Sequence, residues 1–180
     1  MSTLTVILIV AGIVVLYGIY VYNRFVKDRN TIDEAWSGID VQLKRRHNLI
    51  PNLVQTVKGY AKHEAGVLEK VTAQRTGNKM SDINQHETEI SKALMNLFAV
   101  AEAYPDLKAS ENFADLQKQL SEIENQIQLA RRYYNGSVRV YNTRVQSFPS
   151  NIVASYFQFT EREFFEIEVA AERELPEVAF

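Results

Sequence analysis

LTVILIVAGIVVLYGIYVY, residues 4–22, contains no charge, no proline and no cysteine. Its nineteen residues approach the length a helix needs to cross the hydrocarbon core of a bilayer. The competing reading is a cleaved signal peptide, which requires a positive leader, a shorter apolar region and small residues at the cut. Here the leader is Met1-Ser2-Thr3, without a basic side chain, and the exit runs Val21-Tyr22-Asn23-Arg24-Phe25. A core helix of a soluble protein rarely continues this far uncharged. The expectation is a single transmembrane helix over about residues 4–22.

Working outward from that run, Arg24, Lys27 and Arg29 follow it and nothing basic precedes it except the chain's own amine. Lysine and arginine flanks tend to stay cytoplasmic. The sequence therefore predicts a short N-terminus outside and the bulk of the chain in the cytoplasm. Tyr17, Tyr20 and Tyr22 gather at the Arg24 end, where amphipathic rings favour the headgroup layer. The absence of cysteine agrees with a reducing compartment. No Gly-x-x-x-Gly spacing lies within the span, so pairing inside the bilayer has no specific support.

The remainder is long enough for one domain with a real core. Its composition is helical, with only seven glycines and four prolines in the whole chain. A formal net charge of −2 does not suggest a nucleic-acid surface. Three segments repeat apolar residues at spacings of three and four. The first is Ile32, Trp36, Ile39, Leu43, then Ile50, Leu53, Val57, Tyr60, Val67 and Val71. The second is Ile83, Ile90, Leu94, Leu97, Ala101 and Tyr104. The third is Phe113, Leu116, Leu120, Ile123, Ile127, Ala130, Tyr134, Tyr141, Val145 and Phe148. That seven-residue repeat belongs to helices lying nearly side by side, as in a bundle or coiled coil. The fold class is all-α: an N-terminal transmembrane helix followed by a long antiparallel bundle of three to four helices.

Punctuation sets the boundaries. Gly77-Asn78 ends the first rod and Ser81 or Asp82 caps the second. Pro105 stops the second near Tyr104, Ser110 caps the third, and the third runs to Pro149. No breaker separates Tyr22 from the first rod, so the span is expected to continue into it as a stalk. Asn151 to Gln158 is expected to form one or two helical turns capped by Ser150. From Glu161 the chain carries seven acidic and two basic residues, which reads as a solvated, weakly ordered end. The expected organisation is residues 1–22 as N-terminus and span, 23–158 as a cytoplasmic helical bundle, and 159–180 as an acidic, aromatic-containing tail.

Several residues invite a chemical reading. Arg46 and His47 interrupt the first seam where an apolar residue is due. They form either a buried polar site or a turn that faces solvent or the membrane with Lys44 and Arg45. The second is expected, because long charged stems snorkel out of interfaces. Pro51 predicts a kink near His47 to Ile50. Gly59, Gly66 and Gly136 lie within helices and suggest close approach of the first rod to the third, with Tyr133, Tyr134 and Tyr141 packed there. Tyr156, Phe157, Phe159, Phe164 and Phe165 are expected to close one end of the bundle, or else to form an exposed patch. His63-Glu64 and His86-Glu87 are adjacent pairs that point to different helix faces. No histidine has glutamate three residues before it, the spacing used by bundle metal sites. No nucleophile elbow and no phosphate-cradling glycine loop are present. The sequence thus offers no catalytic residue, no cofactor-binding residue and no metal ligand.

The segments RRHNLIPNLVQTVKGYAKHE (45–64), LFAVAEAYPDLKASENF (97–113) and YYNGSVRVYNTRVQSFPSNIVA (133–154), with the closing Phe180, together resemble the LemA family of bacterial membrane proteins. Ser110 and Gly136 depart from the family's pattern at tolerant positions. The resemblance implies one span, a short outside N-terminus and a helical cytoplasmic domain at the inner membrane. It carries no catalytic residues over onto this chain. A relative in magnetotactic bacteria is associated with forming magnetosome membranes, which by analogy implies a membrane-organising role. The leading expectation is a non-enzymatic, membrane-anchored scaffold or adaptor whose partners are the bilayer and copies of itself or another membrane protein, with no nucleic acid and no evident small-molecule substrate. The alternative is a lipid-binding or remodelling module using Lys44, Arg45, Arg46 and the C-terminal aromatics. A metal-dependent enzyme built on His47, His63 and His86 has the least support.

Overall fold

The computed structural model describes residues 2–60 and 80–166. The chain is all-α, and no strand occurs among the described residues. Among the described residues five helices follow in order: α1 Thr3–Tyr60, α2 Met80–Glu102, α3 Pro105–Lys108, α4 Glu111–Gln146 and α5 Ser150–Tyr156. At 1.5 Å per residue, α1 is a rod of about 87 Å and α4 one of about 54 Å. The expected stalk is present: α1 passes from the apolar run into the amphipathic seam without a break. Pro51 lies inside α1 and does not end it. Ile50, Leu53, Val54 and Val57 are all buried around it, so packing retains the turns on either side of the one donor the proline removes.

The chain divides into two compact units, one of residues 1–38 with 130–164 and the other of residues 39–129 with 165–180. In the first unit the leading stretch of α1 is bare. Leu4 to Leu16 expose their apolar side chains, and burial begins only at Val21 and Phe25. Phe25 then meets Tyr141, and Trp36 meets Tyr134, so α1 and α4 run antiparallel. Tyr134 and Tyr141 are buried as expected, whereas Tyr133 faces outward.

The turn from α4 into α5 departs from the predicted capping. Ser150 begins α5, and its hydroxyl does not cap that helix; it donates to the carbonyls of Arg144 (2.7 Å) and Ser147 (2.9 Å). It thereby satisfies the orphan acceptors at the end of α4. At the far end of α5, Gln158 adopts a left-handed φ of 57°. The amide of Phe159 donates to the carbonyl of Ala154 at 2.9 Å, the closure of a Schellman-type cap with glutamine where glycine is commoner. That reversal delivers Phe159 onto Phe25, ring centroids 4.7 Å apart and nearly parallel.

In the second unit, Ile50, Leu53, Val54 and Val57 of α1 share a core with Ile90, Ala93, Leu94, Leu97 and Ala101 of α2 and with Phe113 and Leu120 of α4. Leu107 of the short α3 plugs the same core. Pro105 ends the preceding helix as expected, with Tyr104 extended at φ −118°, ψ 93°.

Three further expectations are corrected here. Phe148, assigned to the third seam, lies in the turn after α4 and is 80% exposed. Gly59 and Gly136 do not mark close approach to the described residues, since among these a Cβ on either meets nothing within 4 Å. Residues 161–166 are not a loose end: Phe165 is fully buried and the backbone of Arg162 and Glu163 is tied to α4. Val67, Val71, Gly66, His63, the Gly77-Asn78 turn, the side chain of Tyr60 and the tail beyond Glu166 lie outside the described residues. With no neighbour in the way, Gly136→Ala should gain roughly 1 kcal/mol of stability from helix propensity alone. Thermal unfolding in detergent reads it as a raised midpoint; a lowered one contradicts the open space around Gly136.

Candidate functional site

Reading the seam of α1 inward gives Ile32, Ile39, Leu43, Arg46, Ile50, Leu53 and Val57, all buried. Arg46 is therefore a seam residue and is 1% exposed, which overturns the expectation that it faces solvent or membrane. Its neighbours Lys44, Arg45 and His47 are exposed. The expected basic lipid patch of Lys44, Arg45 and Arg46 accordingly loses its third member.

A buried guanidinium is stable only with charged or polar partners on its donors. Arg46 has three. Its Nη2 donates to Glu87 Oε2 in a short contact, and its Nη1 donates to Glu124 Oε2 at 2.9 Å and to Ser91 Oγ at 3.2 Å. Glu87 is itself buried, and Glu124 keeps about a third of its side chain in water. Helices α2 and α4 both reach the same arginine, so the cluster joins all three rods of this unit. The arrangement is a fixed ionic lock, and it selects which turns of α2 and α4 face Arg46.

Beside the lock lies a cleft of about 400 Å³, lined by Arg46, Leu94, Phe98, Leu120 and Glu124 among others. A second cleft of about 350 Å³ brings His47 and His86 near Asp40 and Glu87. No group of three or more potential ligands suited to a metal ion occurs among the described residues, and His63 lies outside them.

The first unit holds a second polar cluster. Arg144 Nε donates to Asp28 Oδ2 at 2.7 Å, and Arg24 approaches the other oxygen of Asp28 at 3.6 Å. Asn142, buried on α4, clasps the returning chain twice: its Nδ2 donates to the Arg162 carbonyl and its Oδ1 accepts from the Arg162 amide, both at 2.9 Å. The Tyr134 hydroxyl donates to the Glu163 carbonyl at 3.1 Å. Burial pushes the hydroxyls of Tyr134 and Tyr141 above the ordinary 10.0, against a smaller opposing pull from the Arg162 cation.

The expected aromatic closure divides. Phe159 packs on Phe25 and Phe165 is buried, but Tyr156 is 80% exposed and Phe157 is 50% exposed. The sequence reading weighed Glu87 only beside His86 as a metal pair, and it passed over Glu124. A signal for Glu87 existed: it stands four residues after Ile83 and three before Ile90, so the α2 seam has an acidic gap where the α1 seam has a basic one.

Removing one partner of a buried pair strands the other, at about 3–5 kcal/mol. Glu87→Leu alone should therefore lower the unfolding midpoint strongly. The double variant Arg46→Met/Glu87→Leu should recover most of the loss, because apolar replacements of similar volume are often neutral or stabilising. A double-mutant cycle of thermal midpoints checks both; additive losses contradict the lock. The raised tyrosine pKa values give an alkaline prediction. The unfolded chain releases those protons near pH 10.0 and the folded chain releases them later, so stability is intact below that pH and falls as pH rises through and beyond it. Phenolate absorbance followed alongside circular dichroism tests this, with Tyr134→Phe and Tyr141→Phe blunting the alkaline loss.

The family model described as LemA family matches residues 35–180. The chain is 29% identical over 149 residues to Protein LemA of Metamycoplasma hominis, covering 78% of this chain and 67% of that relative. It is 25% identical over 175 residues to Magnetosome protein MamQ 2 of Paramagnetospirillum magneticum, covering 81% of this chain and 64% of the relative. It is 24% identical over 174 residues to Magnetosome protein MamQ of Magnetospirillum gryphiswaldense, covering 80% and 64%. The chain thus spans about two thirds of the length of these curated relatives. With the greater part of its length matched by the family model and one helix long and apolar enough to cross a membrane, this chain belongs to the LemA family.

Proposed function

We propose that this chain is a membrane-anchored, non-enzymatic scaffold or adaptor at the bacterial inner membrane, with a short N-terminus outside and the bulk of the chain in the cytoplasm. The observation that carries this reading is a second stripe on α4. Leu129, Tyr133, Gly136 and Val140 recur at spacings of four, three and four, and all are exposed. The buried seam of Leu120, Ile127, Tyr134 and Tyr141 occupies a different face of that helix. A helix apolar on two faces has one face left for a partner, and the missing side chain at Gly136 lets a partner helix come close. Residues 1–22 supply the anchor, which raises the effective concentration of a weakly binding partner confined to the same sheet. The match to proteins named as magnetosome proteins adds support, by analogy, for an organising role. The long charged rods serve presentation in this reading, and the lock at Arg46 holds their register.

Cysteine cross-linking in native membranes tests it. The chain has no cysteine of its own, so Tyr133→Cys and Val140→Cys supply the sole reactive sites. They should form cross-linked species, to a second copy or to another membrane protein, while Arg139→Cys, off the stripe on the same helix, does not. Recovery of an isolated monomer from all three contradicts the scaffold reading.

A further inference from the structure

Phe148, Ile152 and Tyr156 are large apolar side chains that the fold leaves in the open, at 80%, 61% and 80% exposure. Ile152 and Tyr156 stand four residues apart on α5 and share one face, and Phe148 leads into that helix from the turn before it. From Val145 to Thr160 the sequence VQSFPSNIVASYFQFT carries no charge, while Arg144 and Glu161 bound it. Exposure and neutrality over one continuous segment are unusual on a surface otherwise rich in charge, and such patches mark contact with protein or lipid.

The position of this tip within its own unit identifies the occupant. Phe157 packs on Tyr22 with ring centroids 4.7 Å apart, and Phe159 lies 5.7 Å from the same ring. Tyr22 is the last residue of the apolar run. Twenty residues of α1, Thr3 to Tyr22, rise about 30 Å, the thickness of a bilayer's hydrocarbon core. Tyr22 therefore sits at the boundary where hydrocarbon gives way to headgroups, and α5 stands beside it. The antiparallel course of α4 along α1 brings that helix's C-terminal end to the same level, with Tyr141 against Phe25. Arg24, Lys27 and Arg29 lie just past this level, where cations meet anionic headgroups.

We propose that the uncharged tip around α5, led by Phe148, Ile152 and Tyr156, inserts into the headgroup and upper acyl region of the leaflet from which α1 emerges. The occupant of the exposed apolar face is lipid. Amphipathic rings such as Tyr156 favour that layer, and a short helix lying in the interface buries its apolar side chains there without crossing. The insertion gives the chain two points of attachment to one sheet. A single helix rotates freely about its axis in a bilayer; a second, off-axis contact fixes how α4, and the stripe on it, faces neighbouring proteins. The proposal rests on the reading of residues 4–22 as a span.

Full-length single-cysteine variants Phe148→Cys and Ile152→Cys, labelled with an environment-sensitive fluorophore, are reconstituted in vesicles of phosphatidylethanolamine and phosphatidylglycerol. Leu16→Cys serves as a marker of the span, and Arg132→Cys, exposed about 20 Å back along α4, as a marker of solvent. The tip probes should show blue-shifted emission, several-fold weaker quenching by aqueous iodide than Arg132, and strong quenching by lipids spin-labelled near the headgroup. Tip probes open to iodide while Leu16 is protected overturn the insertion and leave the span intact. Tip probes shielded from both iodide and spin-labelled lipid also overturn it, in favour of a protein occupant. A Leu16 probe open to iodide removes the span and the insertion together.

Discussion

Hydrocarbon offers no hydrogen-bond partner to a peptide group, so a chain that crosses it must keep every backbone bond inside its own helix. In this protein the helix that is long and apolar enough to cross a membrane does not stop where its apolar run ends. α1 carries its ladder from Thr3 to Tyr60, and what changes along it is only the environment of its side chains. From Leu4 to Tyr20 they are exposed and apolar, from Val21 to Trp36 they enter an aromatic layer, and from Ile39 onward they form one wall of a core. α4 is positioned against this helix by the pairs Phe25–Tyr141 and Trp36–Tyr134, and α2 by the ionic contact to Arg46. A break in α1 would separate the exposed apolar stretch from the packed one.

The two polar clusters serve this arrangement differently. Asp28 with Arg144, and Asn142 with the Arg162 backbone, secure the return of the chain after α5. Asp28 and Asn142 are buried while Arg144 keeps part of its side chain in water, and a single hydrogen bond contributes about 1 kcal/mol. Arg46 is of another kind. The cost of dehydrating its charge is recovered only when Glu87 and Glu124 stand opposite, so a slip of α2 by one turn would leave an unpaired cation in the core. Apolar seams tolerate such slips far better, since a leucine is content in any similar hole. A charged seam position therefore specifies register more strictly than it adds stability.

Much of this was legible in residues 4–22 and in the three-and-four spacing. Apolar burial on α1, α2 and α4 follows that spacing at Ile32, Ile39, Leu43, Leu94, Leu97, Leu120 and Tyr134, because a helix presents one face whatever packs against it. The element end at Pro105 was readable for the same local reason, whereas α4 ends at Gln146, short of the expected Pro149. The misreadings all concern partners. Gly136 was assigned a close neighbour that is absent, Tyr133 a buried place it does not have, and Ser150 a cap on the wrong helix. The acidic tail was expected to drift, yet Asn142 and Tyr134 hold its first residues in place.

The sequence by itself determined the helical class, the helix long and apolar enough to span a bilayer, the inward face of each rod and the family, because charge, length and periodicity act within a few residues along the chain. Only the tertiary structure decided whether Arg46 is solvated or locked. Its partners lie 41 and 78 residues away, and nothing within one helix's own repeat states which turn of another helix will stand opposite. The same holds for the tip at α5: its apolar residues were visible, but their place beside Tyr22 arises from the antiparallel return of α4. Local chemistry selects which faces are buried; the pairing of distant faces selects what each polar residue on them becomes.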